Sequence, residues 1–223
     1  MTNNRSASYV WAMTGLAQIY WNNGERDQAA ATLTTVLEAQ PDYAPALYLT
    51  GRIAIAEKDR ETAERCFRAA CEVDPRADYL WALLEVVEET QRSDIEDLFV
   101  ALGASHDTRA LSLHYATLGK GNEEAVALAM DEYERRQDVF TCDTVAWALA
   151  NNGQLKEAQR YMHEALAVGY RDARIYLHAA WISHANGDLQ QAKKHLERAK
   201  KLEWQLLPSE ARRLAEISDK LAV

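Results

Sequence analysis

The sequence predicts an all-α fold, a solenoid of repeated helix pairs, and three observations carry that reading. The first is an internal repeat. Pro41 and Pro75 lie 34 residues apart, and at the same offset Ala29 matches Ala63, Leu33 matches Phe67 and Ala17 matches Gly51. Near the C-terminus the offset returns: Ala146 to Ala180, Gly153 to Gly187, Ala158 to Ala192, Met162 to Leu196 and Ala165 to Ala199. The second is that these residues are small or apolar and recur every three or four positions, the period of a buried helix face. The third is that 223 residues contain only 9 Gly and 4 Pro, too few chain breakers for a loop-rich β fold. A chain that is 48% hydrophobic and 26% charged is of ordinary globular composition, long enough to bury a core without disulfide or metal staples.

Residues 1–9 read as an N-terminal tail. The stretch from Met1 to Ser6 has no apolar run after Arg5, so it does not read as a secretory signal. In the first clear unit Leu16, Ala17 and Tyr20 share a helix face, and Asn22-Asn23-Gly24 makes a turn. A second helix follows with Ala29, Leu33, Val36 and Leu37, and Gln40-Pro41-Asp42 ends it, because proline cannot continue a helix. Ala17, Gly51, Ala146 and Ala180 are small where two helices must approach closely. Residues 10–77 thus hold two clear repeats and residues 139–206 two more. The 61 residues between them, 78–138, fall short of two full units. Residues 81–84 read as a first helix and 94–102 as a shortened second one. Residues 111–118 and 123–135 then form another pair about the turn Lys120-Gly121-Asn122. This segment reads as two degenerate, acidic repeats, with a non-repeat helical insert as the alternative. Residues 207–223 form a capping helix through Leu214, Ile217 and Leu221, with Ser209 as N-cap, Glu210 in the first turn, and Arg212, Arg213, Glu216 and Lys220 on a charged outer face.

The run Leu16-Ala17-x2-Tyr20-x3-Gly24-x4-Ala29-x3-Leu33-x2-Val36-x4-Pro41 resembles the tetratricopeptide repeat, a 34-residue helix-turn-helix unit. Thr50-Gly51, Ala63, Phe67, Ala70 and Pro75 repeat most of the pattern. Asn152-Gly153, Ala158, Met162 and Ala165 carry it again, as do Asn186-Gly187-Asp188, Ala192, Leu196 and Ala199. Tyr170 and Trp204 stand where the last two units would have their closing proline. The resemblance implies an α-α superhelix of about six repeats, right-handed, whose first helices line a concave groove for an extended peptide or a partner helix. In that register Trp147 and Trp181, again 34 apart, point toward the groove, flanked by Asp143, Asn151, Arg174, Leu177 and His184. Thr14, Gln18, Tyr48 and Arg52 take the same positions in the N-terminal pair. Aromatic residues and Arg are the types most enriched at binding hot spots. The competing reading is that the tryptophans fill packing between repeats. The Lys/Asn/Arg clamp with which some family members grip acidic chaperone tails is absent from these positions.

The formal charge of −9 speaks against nucleic acid or anionic membrane as the partner. It arises in residues 72–138, which carry 16 acidic and 6 basic side chains, either a solvated face or a surface for a basic segment. The basic run Lys193-Lys194-His195, Arg198 and Lys200-Lys201 is interrupted by Glu197 and Glu203 and reads as surface. Gly119-Lys120-Gly121 lacks the phosphate-cradling spacing, and His178 and His184, six apart, do not form a metal-binding pair. Cys66, Cys71 and Cys142 fit free thiols in a reducing compartment. Cys142, at a helix start, sits where a helix N-terminus would lower its pKa, and the reading preferred over an activated thiol is a structural one. No stretch reaches the roughly 18 continuous apolar residues of a membrane helix. The expectation is a cytoplasmic, non-catalytic scaffold or adaptor that binds a peptide or helix of another protein, without cofactor, metal, nucleic acid or membrane. The alternatives are a self-associating repeat protein, a homodimer among them, or a non-catalytic subunit of a larger enzyme assembly.

Overall fold

The computed structural model of the chain describes residues 7–119 and 121–222. Among these residues it forms thirteen α-helices, one turn of 3-10 helix and no strand. The contacts divide it into two compact units, residues 1–98 and 99–223.

Unit 1 holds α1 (Ala7–Asn23), α2 (Arg26–Ala39), α3 (Ala44–Ala56), α4 (Arg60–Val73), α5 (Ala77–Leu84) and the start of α6 (Glu89–His106). Helix α1 begins within the stretch expected as a tail. One turn geometry recurs after the first helix of each clear pair. Gly24, Lys58, Gly153 and Gly187 all adopt positive φ, at 83°, 63°, 77° and 82°. The next residue's N–H reaches back to a carbonyl five positions earlier: Glu25 to Tyr20, Asp59 to Ala54, Gln154 to Leu149 and Asp188 to Ser183, each 2.9 Å. This closure satisfies carbonyls left over at a helix end and requires a left-handed residue, which is why glycine fills three of the four positions. Between α3 and α4 the fit is tight. A Cβ on Gly51 would stand 2.4 Å from the Phe67 ring, so glycine here makes room for the phenylalanine. Phe67 is fully buried, a contribution of about 1.5–3 kcal/mol relative to leaving it in water.

Unit 2 continues with the end of α6, then α7 (Thr108–Leu118), α8 (Asn122–Arg135), α9 (Val139–Asn151), α10 (Leu155–Ala167), α11 (Ala173–Ala185), α12 (Leu189–Lys200), the 3-10 turn Glu203–Gln205 and α13 (Pro208–Leu221). Aspartate side chains cap α7, α9, α11 and α12: Asp107, Asp138, Asp172 and Asp188 accept from first-turn N–H groups. The middle of the chain corrects two expectations. The helix expected as short, over 94–102, is the 18-residue α6, while its partner α5 is the short one at 8 residues. Gly103 explains the close approach of α6 to α7, since a Cβ there would meet Leu111 at 2.9 Å. The turn expected at Lys120 lies outside the described residues, and Gly119 and Gly121 on either side of it have positive φ.

Helix α13 packs Leu214, Ile217 and Leu221 onto the core of α11 and α12. Ser209 is not its N-cap. Pro208 occupies the first helical position, and Glu210 accepts from the Leu207 N–H at 2.8 Å. Proline suits that position because its missing N–H would have had no helical partner.

Candidate functional site

In unit 2 the positions expected to line an open groove are filled from within the chain. Asp143, on α9, is 2% exposed and lies 2.9 Å from Nδ1 of His178 on α11. The His178 ring stacks on Trp147 with centroids 4.1 Å apart and planes 10° from parallel. The Trp147 indole, 3% exposed, donates from Nε1 to the Thr117 hydroxyl at 3.1 Å. The guanidinium of Arg213, on α13, lies 5.6 Å from the centre of the Trp147 ring and also donates to the Thr117 carbonyl. Leu177 is fully buried. The expectation that Asp143, Trp147 and Leu177 present themselves to a partner is therefore corrected, because α13 and its neighbours cover them.

The remaining expected residues of unit 2 are half-buried. Trp181 packs against the α11–α13 core with the Lys220 ammonium 4.7 Å from its ring centre. Arg174 faces Glu210 of α13 at 3.6 Å. Asn151 donates to the Trp147 carbonyl at 2.8 Å, and its own carbonyl accepts from Asn122. His184 lies half-buried near the end of α11. Arg213 and Lys220, expected on a charged outer face, instead lie over tryptophan rings, where a cation gains from the negative face of the π-system.

In unit 1 the first-helix positions stay accessible. Gln18 is exposed and Thr14, Tyr48 and Arg52 are half-buried. Thr14 returns its hydroxyl to the Val10 carbonyl at 2.9 Å, and Gln18 donates to Asn22 at 2.9 Å. Arg52 donates to the Tyr48 hydroxyl at 2.8 Å. Tyr48 stacks on Tyr79 of α5 at 4.6 Å, and the Arg76 guanidinium sits 5.1 Å from the Tyr79 ring centre. The result is a row, Arg52, Tyr48, Tyr79 and Arg76, in which each group holds the next and Tyr79, 3% exposed, is the buried backing of the accessible others. Sequence reasoning missed Tyr79 and Arg76. It also missed the His178–Asp143 pair, although the near-absence of charge along α9 marks a helix buried on every side.

The thiols are free, and burial raises them: Cys71 to about 12 and Cys142 to about 11. Cys142 is thus no activated nucleophile. Desolvation outweighs any gain from the helix start, and Glu164, Asp138 and Asp143 push the same way. Among the described residues no three His, Cys, Asp or Glu side chains group to hold a metal ion, and no helix is long and apolar enough to cross a membrane. Part of the acidic middle is paired locally, with Asp131, Glu132 and Asp138 set against Arg135 and Arg136.

Burial holds His195 below the ordinary histidine range, with Arg198 and Lys194 adding to the effect and Asp188 opposing it. The unfolded chain takes up this proton near pH 6.5 and the folded chain only at lower pH, so stability falls as pH drops through that window. The melting temperature should therefore decline as pH falls below about 6.5, and His195→Leu should flatten that slope. An unchanged slope in thermal melts would remove His195 as its source.

Helix pairs closed by one recurring left-handed turn define an α-helical repeat protein. The tetratricopeptide repeat model matches residues 14–77 and 146–206, more than half the chain, and the protein belongs to the tetratricopeptide repeat family. Members of this family commonly mediate protein–protein interactions and are generally non-catalytic scaffolds or adaptors. No curated protein matches the chain by sequence. Among solved structures it is similar to pilF of Pseudomonas aeruginosa, with 18% identity and a TM-score of 0.52 over 94% of this chain and 97% of that one. It is also similar to PilW, described as a widely conserved type IV pilus biogenesis factor, with 20% identity and a TM-score of 0.51 over 88% and 94% of the two chains. A tetratricopeptide repeat protein of Parabacteroides merdae gives 12% identity and a TM-score of 0.56 over 97% and 87%. At these identities the likeness is one of fold alone.

Proposed function

We propose that this protein is a non-catalytic adaptor that binds an extended segment or helix of another protein on the first-helix face of its N-terminal unit. The observation that supports this most is the accessible Arg52–Tyr48 pair, backed by the buried Tyr79 ring and flanked by exposed Arg76, with Thr14 and Gln18 at the equivalent positions on α1. Its stacked rings and hydrogen-bonded guanidinium are pre-ordered, which lowers the entropic cost of binding. Arg and Tyr are also the side chains that most often dominate binding energy. Trp147, Asp143 and Leu177 drop out as contacts, and the half-buried Asn151, Arg174, Trp181 and His184 remain secondary candidates.

Three free thiols fit a reducing compartment, and we place the protein in the cytoplasm. Neither catalysis nor a cofactor, metal, nucleic acid or membrane enters the reading.

A tagged pull-down from the native source, comparing wild type with Tyr48→Ala/Arg52→Ala, tests it. The double variant should lose the captured partner by about tenfold or more while its helix content by circular dichroism stays intact. Equal capture by the two proteins would sink the proposal.

A further inference from the structure

In each clear helix pair one small residue marks where the first helix meets its second: Ala17, Gly51, Ala146 and Ala180. The residues five and two before it, and the one two after it, lie on the opposite side of that first helix. In α3 these are Ala46, Leu49 and Ile53, in α9 Thr141, Thr144 and Ala148, and in α11 Ile175, His178 and Ile182. None of the nine is more than 4% exposed. The preceding helices bury them: α1 and α2 pack on α3, α7 and α8 on α9, and α9 and α10 on α11. This side of a first helix is therefore the seat on which a unit receives the one before it.

In α1 the same three positions are Ala12, Gly15 and Ile19, and all three are exposed. Ile19 is 58% exposed, and Trp11 beside the seat is 72% exposed. Nothing lies within 4 Å of where a Cβ on Gly15 would be. Helix α1 also carries no charged residue from Ala7 to Asn23. Arrays of repeats seal their ends with a polar-backed helix, and α13 does so on α11 and α12, turning Arg212, Glu216 and Asp219 to solvent. Helix α1 has the residues of a seat instead of those of a seal.

We propose that this seat takes a helix pair of another protein, stacked on α1 as α1 and α2 stack on α3. The seat sets the chemistry of that partner. Its contacting face is uncharged, because Trp11, Ala12, Gly15 and Ile19 offer no counter-charge and a charge buried there would go uncompensated. It brings one large apolar side chain to Gly15, where α1 leaves open the space that α3 fills with its own Leu49. A second copy of this chain does not match. Its α13 presents Arg212, Glu216 and Asp219, and α1 laid antiparallel on α1 about Gly15 would set Ala12 against Gln18 and Ser8 against Asn22. Thr14 and Gln18 lie on the neighbouring stripe of α1, so the inference stands whether or not the Tyr48–Arg52 face binds a segment.

Two measurements test it. In the first, residues 10–43 are repeated in tandem within the full chain, which places a copy of α1 and α2 on the seat. The tandem chain should melt above wild type. Ile19→Glu in the inner copy should remove that gain, and the same change in the outer copy should leave it. In the second, a photocrosslinking phenylalanine analogue replaces Ile19 in the full chain, is activated in an extract of the native source, and the joined peptide is sequenced. That peptide should come from a helical hairpin of another protein, with an uncharged face. Ile19→Glu, which should melt as wild type does because the side chain is exposed, should lower capture of the same protein by about tenfold or more. Tyr48→Ala/Arg52→Ala should leave that capture unchanged, which separates the seat from the other face. A tandem chain no more stable than wild type, a joined peptide from this chain itself, or no joined peptide overturns the proposal.

Discussion

Trp147→Ala should destabilise the protein by about 3–5 kcal/mol, the range for deleting a large buried aromatic. In a chain of this length that is a fall in melting temperature on the order of 10 °C. The indole is enclosed, with the His178 ring stacked at 4.1 Å on one side and the Arg213 guanidinium 5.6 Å from its centre. Its Nε1 occupies the Thr117 hydroxyl. Alanine would leave a cavity between α7, α9, α11 and α13 and strip Arg213 of the surface it lies on. Trp181→Ala should cost less, because that ring is only half-buried at the edge of the α11–α13 core. Urea titrations of the two variants side by side are the measurement. A Trp147→Ala protein as stable as wild type would show that the indole belongs to a binding surface after all.

Replacing His178 by leucine should cost a further effect of the same order, about 3–5 kcal/mol, because it strands Asp143 as a buried carboxylate without its partner. Asp143 and His178 are 2% and 3% exposed, so water cannot take over the lost hydrogen bond. Adding Asp143→Leu to His178→Leu should recover most of the loss, since removing both polar groups leaves nothing unsatisfied. A double-mutant cycle by chemical denaturation separates this from simple packing. If the two substitutions add without recovery, the pair is not coupled and the stacked rings alone account for the site.

The helix pairs were legible because the interactions that make them are local. The left-handed turn at Gly24, Gly153 and Gly187 and the small residues Ala17, Gly51, Ala146 and Ala180 act within one helix-turn-helix unit, and they recur at one spacing. Lengths in the middle were misread where that spacing lapses. The sequence from Glu89 to His106 is continuous helix with little periodic apolar pattern to announce it, and only Phe99 and Gly103 are buried along it.

The first-helix positions that register singles out stay accessible in unit 1, while in unit 2 Asp143, Trp147 and Leu177 are buried. Register correctly placed Trp147 on the inward face of a first helix, but a register describes one unit and not what lies over it. What lies over it is Arg213, 96 residues beyond the Thr117 carbonyl to which it donates.

The sequence by itself determined the all-α repeat, its helix pairing and its turns, because short-range backbone geometry and close-packed small residues write themselves as a period. Only the tertiary structure decided which first-helix face stays open. That choice rests on long-range burial: α13, held by Leu214, Ile217 and Leu221, sets its cations on the tryptophans of α9 and α11, and no spacing within a single repeat encodes where a distant helix comes to rest.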